Sequence, residues 1–261
     1  MPKYVHIAGL AVLLCLLMYA LLRTLAPAPS SSPQSGTDHP HPQHASPSRM
    51  LYGLTIDDSW EGARKLADII EAIQRFAESY QYLSHYVAIW EVGNEMNGQE
   101  WIKEDPHLTA AKVASAYRYI KDKHAAAALV PYYFPSNGST LSMKEWLQTY
   151  LPDDLRQGVD YVLVSYYDDD NDGYQPNWRQ VFTELEMLFP EAKLGIGECG
   201  TPSEHAPMAR KLQLFQHYYA MPRYTPRYVG GYFWWYWAHD GVPYKDNPLW
   251  EETARYMKKQ S

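Results

Sequence analysis

The sequence predicts an α/β fold in which short strands alternate with longer helices around a parallel sheet. Apolar runs of strand length are separated by stretches whose apolar residues recur at helical spacing. The chain has 261 residues and 46% hydrophobic content, which is enough to bury a core. Polar and aromatic side chains follow most of the predicted strands. Because the carboxyl ends of parallel strands meet at one edge of a sheet, we expect these side chains to share a site.

The N-terminal segments are expected to lie outside this fold. Residues 1–25 contain an apolar run at 5–22 with charged residues on both sides, which predicts a signal peptide or a membrane anchor. Pro29 follows a small-residue cleavage pattern and favours the uncleaved anchor. Residues 26–49 are rich in Pro, Ser and His and predict a disordered linker. We therefore expect an extracytoplasmic domain at 50–261, either membrane-anchored or secreted, including periplasmic.

Within that domain the elements are predicted in order from periodicity and from turn-forming boundaries. The strands are apolar runs bounded by Gly, Pro, Asn, Asp or charged residues, at 51–56, 85–92, 126–134, 161–167, 193–197 and 231–237. The helices carry apolar residues three and four positions apart, as Leu66, Ile69 and Ile73 do in the first of them. They are predicted at 60–76, 109–124, 141–150, 178–189 and 206–219.

Composition excludes several classes of function. A formal net charge of -7 leaves no basic footprint for nucleic acid. Cys15 and Cys199 are too few for a disulfide framework or a thiolate zinc site. The excess is aromatic, with 9 Trp and 23 Tyr. Aromatic rings stack on the apolar faces of sugars, and an acidic domain suits an uncharged glycan.

Two glutamates stand just past buried strands among glycines. They are Glu95, in the segment 90–95, and Glu198, in the segment 195–200. A lone Glu in such a place more often caps a helix or pairs with Arg. Two of them, with an aromatic strand, favour glycosidic bond cleavage, which needs one carboxyl group as an acid and another as a nucleophile or base.

Four motifs then resemble a known superfamily. Trp-Glu-Val-Gly-Asn-Glu at 90–95 is similar to the fourth-strand motif of the retaining glycoside hydrolases of clan A, which are (β/α)8 TIM barrels. Val-Ser-Tyr-Tyr at 164–167 and Gly-Ile-Gly-Glu at 195–198 resemble the sixth and seventh strands. Gly-Gly-Tyr-Phe-Trp-Trp-Tyr-Trp at 230–237 resembles the eighth. The motifs occur in the order of that superfamily.

This resemblance implies roles for individual residues. Glu95 would be the acid/base and Glu198 the nucleophile of a double displacement that retains anomeric configuration. Asn94 would contact the sugar 2-hydroxyl, and Tyr166 or Tyr167 would donate a hydrogen bond to the nucleophile. The resemblance implies a monomer that needs no cofactor and acts on a β-linked oligo- or polysaccharide.

Further candidates for substrate binding are aromatic or acidic side chains at or after strand ends: Trp101, Tyr133, Trp235, Trp237 and Asp57. About half of the aromatic ones are expected to be ordinary packing, because alternate positions of a barrel strand face the outer helices. Strand alternation places Trp235 and Trp237 on one face and Trp234 on the other, and only one face can line a cleft.

An acidic loop is a weaker candidate for a metal site. Asp168, Asp170, Asp172 and Gly173 fit the opening of a calcium loop, but its twelfth position is Arg179 rather than Glu. A solvated acidic loop is the favoured interpretation, and no metal is expected.

Length is the main departure from the superfamily pattern. Residues 50–261 approach the lower limit of about 200 residues for a (β/α)8 barrel. The sequence between 56 and 87 has no room for the second and third strands with their crossovers. We therefore expect an incomplete barrel of about six βα units. Two alternatives follow: a catalytically impaired barrel that binds glycan, and an envelope scaffold that binds another protein.

Overall fold

The structure, a computed structural model, describes residues 69–135, 140–203 and 205–260. Within them five parallel strands form one sheet in the order β1-β2-β3-β4-β5. The strands are β1 (Ile89–Asn94), β2 (Ala126–Val130), β3 (Tyr161–Val164), β4 (Lys193–Cys199) and β5 (Tyr228–Trp234). A helix lies in every connection between consecutive strands. The predicted α/β fold with a parallel sheet is therefore confirmed.

The helices alternate with these strands along the chain. They are α1 (Ile69–Leu83), α2 (Gln99–Ile102), α3 (Pro106–Asp122), α4 (Met143–Tyr150), α5 (Asp153–Gly158), α6 (Trp178–Leu188), α7 (Met208–Tyr219), α8 (Trp237–Asp240) and α9 (Pro248–Gln260). A 3-10 helix spans Asp168–Asn171. Among the residues described, no helix has the length and apolarity needed to cross a membrane. The segments predicted at 1–25 and 26–49 lie outside the described residues, as does the strand predicted at 51–56.

Local sequence explains where the main helices begin. The Asp105 side chain accepts a hydrogen bond from the backbone N–H of His107 and caps α3, whose first residue is Pro106. Ser142 and Glu145 form a reciprocal capping box at α4. These caps satisfy backbone N–H groups that the first turn leaves unpaired, so each helix begins at a defined residue.

The core lies on both faces of the sheet. Residues 127–130 of β2 and 162–164 of β3 are buried without alternation, which is typical of parallel strands covered on both sides. Helix α3 packs on β1 and β2, and α6 packs on β4. Among the described residues, β1 and β5 are the two edges of the sheet. The shortened barrel wall predicted before β1 lies outside the described residues and stays a prediction.

Element boundaries differ from the predicted ones for identifiable reasons. Strand β1 begins at Ile89 rather than 85, because α1 continues to Leu83 and a turn follows it. Strand β2 ends before Pro131, which has no N–H to pair. Strand β5 ends at Trp234 rather than 237, because Tyr236 has a left-handed backbone (φ 69°) that turns the chain into α8.

A buried ion pair fixes the end of β5. Lys211 Nζ on α7 lies 2.5 Å from Asp240 Oδ1 on α8, and the two side chains are 7% and 2% exposed. Asp240 Oδ2 accepts a hydrogen bond of 3.0 Å from Trp234 Nε1, at the last residue of β5. The pair therefore joins two helices to the strand that leads into the aromatic segment.

Replacing Lys211 with Met is expected to lower the free energy of unfolding by about 3–5 kcal/mol, because the buried Asp240 carboxylate loses its cation. Equilibrium denaturation measures this change. The matched control is Arg118→Met, which breaks an ion pair with Asp154 whose side chains are 54% and 52% exposed. That control should cost about 1 kcal/mol or less. Equal losses in the two variants would contradict the role of burial.

Candidate active site

Backbone pairing continues past the strand ends and gathers the predicted residues at one edge of the sheet. The N–H of Glu95 donates to the carbonyl oxygen of Val130 at 2.6 Å, and the N–H of Tyr166 donates to that of Glu198 at 3.0 Å. The N–H of Trp235 donates to the carbonyl oxygen of Cys199 at 2.8 Å. This edge is formed by the carboxyl ends of the strands, where ligands bind in parallel α/β folds.

Glu95 is held by an unusual backbone and by a serine. A bulge between Glu91 and Gly93 shifts the register of β1 just before it, and Glu95 itself has a φ of 43°. Bulges re-aim side chains, and positive φ in a non-glycine residue marks strain of the kind found at functional sites. Buried Ser165 donates a hydrogen bond of 2.6 Å from Oγ to Glu95 Oε1. The carboxylate is thus fixed at the strand end.

Glu198 is the penultimate residue of β4, and the two glycines before it allow the sheet to form. A Cβ on Gly195 would lie 1.9 Å from the carbonyl oxygen of Gly230, and one on Gly197 would lie 2.8 Å from that of Leu163. Close approach of neighbouring strands therefore requires both glycines. Tyr167 donates a hydrogen bond of 2.8 Å from its hydroxyl to Glu198 Oε2.

The charges of both glutamates act on Tyr167. Burial, then the negative charges of Glu198 and Glu95, raise the pKa of this phenol well above its ordinary value. Burial also raises the pKa of Tyr132, to which the charge of Glu95 contributes. Tyr167 therefore stays protonated and keeps its hydrogen to donate to Glu198.

The structure distinguishes the two adjacent tyrosines. Tyr167 reaches Glu198, whereas Tyr166 is fully buried and its hydroxyl donates to the carbonyl oxygen of Tyr174 at 2.6 Å. The Tyr166 ring packs edge-on against Trp178, with centroids 5.5 Å apart. This corrects the expectation that Tyr166 offers a hydroxyl to the nucleophile or to substrate, because its hydroxyl is used inside the core.

Asn94 and Asn97 have different environments at the end of β1. Asn94 Oδ1 is buried without a hydrogen-bond partner among the described residues. Asn97 is buried and pairs with the backbone of Tyr132, donating to its carbonyl oxygen at 2.7 Å and accepting from its N–H at 2.8 Å. Asn97 therefore ties the loop after Glu95 to the end of β2. Sequence reasoning missed both Asn97 and Ser165; a small polar residue after an apolar run was the available signal for Ser165.

The other tryptophan candidates lie on three different segments of the chain. The Trp101 ring lies on α2 against Tyr132, with centroids 5.3 Å apart. Trp235 is partly buried at the end of β5. Trp237 lies on α8, with its ring centroid 5.5 Å from that of Trp250. The prediction that Trp235 and Trp237 share a strand face is therefore wrong. Asp57 lies outside the described residues.

The acidic loop contains ion pairs rather than a metal cluster. Asp168 is buried and its Oδ2 accepts hydrogen bonds of 2.9 Å from Arg210 and Gln175, while Asp169 pairs with the same Arg210 at 2.5 Å. Asp170 and Asp172 are exposed. Across residues 69–135, 140–203 and 205–260, no three His, Cys, Asp or Glu side chains are grouped to hold a metal ion. The described residues therefore do not gather Asp168, Asp170 and Asp172 into the calcium loop that their spacing suggested, and Arg210 pairs with Asp168 instead.

If Glu198 is the nucleophile that the sequence predicts, replacing Tyr167 with Phe is expected to lower kcat about ten- to a hundredfold, since a hydrogen bond to a charged group contributes about 1.5–3 kcal/mol. Because the pKa of this phenol is raised, Tyr167 should add no limb to the wild-type pH profile below about pH 10. Steady-state kinetics across pH test both statements. The control is Tyr161→Phe, at the opposite end of β3. Equal kcat in the wild type and the Tyr167 variant would contradict the contact.

Comparisons with known proteins give fold neighbours at low identity. No protein-family model matches the chain, and no curated protein sequence matches it significantly. A glycoside hydrolase family 18 chitinase from Pseudoalteromonas aurantia is 11% identical with a TM-score of 0.44, over 79% of this chain and 75% of that one. An endo-beta-1,3-glucanase of family 128 from Amycolatopsis mediterranei, solved with laminaripentaose, is 8% identical with a TM-score of 0.42, over 74% and 75%. A family 1 β-glucosidase from Thermotoga maritima is 13% identical with a TM-score of 0.39, over 67% and 59%.

Proposed function

We propose that this protein is a retaining glycoside hydrolase that cleaves O-glycosidic bonds of a neutral, β-linked oligo- or polysaccharide. The observation that carries the proposal is that adjoining residues after β3 hold both carboxylates at the carboxyl edge of the sheet, Ser165 that of Glu95 and Tyr167 that of Glu198. Cleavage of a glycosidic bond needs two carboxyl groups in different protonation states, and a hydroxyl donor keeps one of them ionised.

The proposal gives each carboxylate a role that its contacts support. Glu198, hydrogen-bonded by Tyr167, attacks the anomeric carbon while Glu95 protonates the departing glycosidic oxygen. The bond to the leaving sugar breaks and an ester bond to Glu198 forms. Glu95, now ionised, takes a proton from water, and the hydroxide attacks the same carbon and releases Glu198. The two displacements together retain the anomeric configuration.

Ser165 suits the changing state of Glu95. A hydroxyl donates to a carboxylate and accepts from a protonated carboxyl group. The contact of 2.6 Å between Ser165 Oγ and Glu95 Oε1 therefore holds this side chain before and after proton transfer. Asn94 Oδ1, which is buried and lacks a partner among the described residues, is assigned to a sugar hydroxyl, which would supply the missing donor. Trp235 is assigned to a sugar face.

The chain is expected to meet glycan outside the cytoplasm, because the apolar run at 5–22 predicts export or anchoring. The detergent-solubilised full chain, incubated with β-1,3-glucan, β-1,4-glucan, xylan, mannan and chitin oligomers, tests the proposal. Release of new reducing ends from at least one glycan is the expected result. Calorimetry on the same glycans separates the alternatives. Heat of binding without release of reducing ends indicates a barrel that binds glycan without cleaving it. The absence of both binding heat and release would contradict glycan recognition.

A further inference from the structure

A cavity of about 360 Å³ lies in the described part of the molecule, and neither Glu95 nor Glu198 lines it. It runs between the segment after β2, the loop after β3 and the helices α4 and α6. Its walls include Tyr133, Phe134, Tyr174, Asn177, Gln180 and Glu184. Ligand sites in proteins are concave, have volumes of about 300–1,000 Å³ and combine aromatic or apolar walls with a few polar groups. This cavity meets that description; we call it the side groove.

The side groove is separate from the carboxylate pair. None of Glu95, Glu198 and Tyr167 lines the groove. Tyr133 lines it, with its ring 5.6 Å from that of Tyr166 and 6.0 Å from that of Trp178 on α6. The Tyr132 ring lies between the two sites, 6.1 Å from Tyr166 and 6.4 Å from Tyr167. The two sites share one anchor, because the N–H of Tyr133 donates to the carbonyl oxygen of Ser165, the residue that holds Glu95.

The walls of the side groove match a neutral polyhydroxylated ligand. Tyr174 is 50% exposed, and burial raises the pKa of its neighbour Tyr133 to about 12, so Tyr133 presents a neutral hydroxyl. Gln180 Nε2 donates to Glu184 Oε1 at 3.0 Å, and Glu184 pairs with Lys144 at 3.5 Å. The opposite charges of Glu184 and Lys144 offset each other. The groups that remain for a ligand are the tyrosine rings, which suit sugar faces, and the amide atoms Asn177 Nδ2 and Gln180 Oε1, which suit hydroxyls.

We propose that the side groove is a secondary binding site for a neutral oligosaccharide segment, distinct from the candidate active site at Glu95 and Glu198 and used to hold the polymer that this site cleaves. Its use in hydrolysis rests on the proposed function; its binding of glycan does not. A site of this kind strengthens attachment to a polymer through effective concentration and has little effect on a substrate too short to span both sites.

The test compares Tyr174→Ala and Gln180→Ala with the control Tyr86→Ala, which removes a tyrosine that is 73% exposed and lies before β1, at the other end of the sheet. Neither groove variant alters the carbonyl oxygen of Tyr174 that accepts from Tyr166 or the backbone N–H of Gln180 that donates to the Asn177 cap of α6. Calorimetry uses hexasaccharides of the glycans in the panel, in a Glu198→Gln background that prevents turnover. Two binding sites per chain are expected with Tyr86→Ala and one with Tyr174→Ala.

The second readout is the steady-state kinetics of the same variants in protein that keeps Glu198. Tyr174→Ala should raise KM for the polymer about three- to tenfold and leave kcat/KM for an aryl monosaccharide unchanged. The proposal would be overturned if Tyr174→Ala and Tyr86→Ala had the same number of binding sites and the same KM for the polymer. It would also be overturned if no hexasaccharide bound. Binding that depends on Tyr174 in a protein without hydrolysis would support the groove and refute the proposed function.

Discussion

Replacing Glu198 with Gln is expected to lower kcat roughly 10⁴- to 10⁶-fold, the loss seen when an enzyme's nucleophilic machinery is removed. An amide does not form the glycosyl ester, whereas its carbonyl oxygen still accepts the hydrogen bond that Tyr167 donates to Glu198 Oε2. The fold should therefore persist while turnover fails. Initial rates on the best glycan from the panel, with denaturation curves of both proteins, measure the effect.

The control for this variant is Glu191→Gln, an exposed glutamate just before β4 and at the opposite end of the strand from Glu198. It removes one negative charge from the same segment without touching the site. Wild-type kcat is expected for it. A Glu198→Gln protein that keeps more than about a hundredth of the wild-type kcat would show that another group attacks the anomeric carbon.

Replacing Glu95 with Gln is expected to lower kcat on a natural glycan about 10²- to 10⁴-fold, the usual contribution of general acid–base catalysis. The loss arises in both displacements, because the amide neither protonates the leaving oxygen nor takes a proton from water. For an aryl glycoside with an acidic leaving group, the first displacement needs no proton. The glycosyl-enzyme should then form at near the normal rate and accumulate.

Comparing leaving groups makes this second prediction specific. If the effect of Glu95→Gln were purely structural, kcat would fall equally for all substrates, and this result would contradict the acid/base role. Glu100→Gln, an exposed position in α2, serves as the control and should behave as the wild type on every substrate. Ser165→Ala keeps Glu95 but removes its hydrogen bond, so a smaller loss of kcat than in Glu95→Gln is expected.

Sequence periodicity predicted the strands that carry the site because burial in a parallel sheet leaves an apolar run that ends in polar residues. Strand β4 and Glu198 at its end follow directly from that pattern. The hydrogen bond between Ser165 and Glu95 does not follow from that pattern. The two residues are 70 positions apart in the sequence, and only the order of the strands brings them together. The bulge after Glu91 and the left-handed backbone at Tyr236 break the alternation on which side-chain directions were predicted.

The choice between Tyr166 and Tyr167 shows the same limit. Both follow β3, and the alternation rule does not say which face of the sheet holds the carboxylates. The choice depends on the pairing of Tyr166 N–H with Glu198, which is a contact between strands. Contacts of this kind depend on packing across the sheet rather than on any local pattern.

The most direct test of the central claim is the intact and peptide mass of Glu95→Gln quenched during reaction with a dinitrophenyl β-glycoside of the sugar that the glycan panel identifies. A mass increase of one glycosyl residue, located on the peptide that contains Glu198, is the result expected if the two glutamates perform a double displacement. A glycosyl group on a different residue, or no adduct in a protein whose wild type hydrolyses that glycoside, would contradict the account.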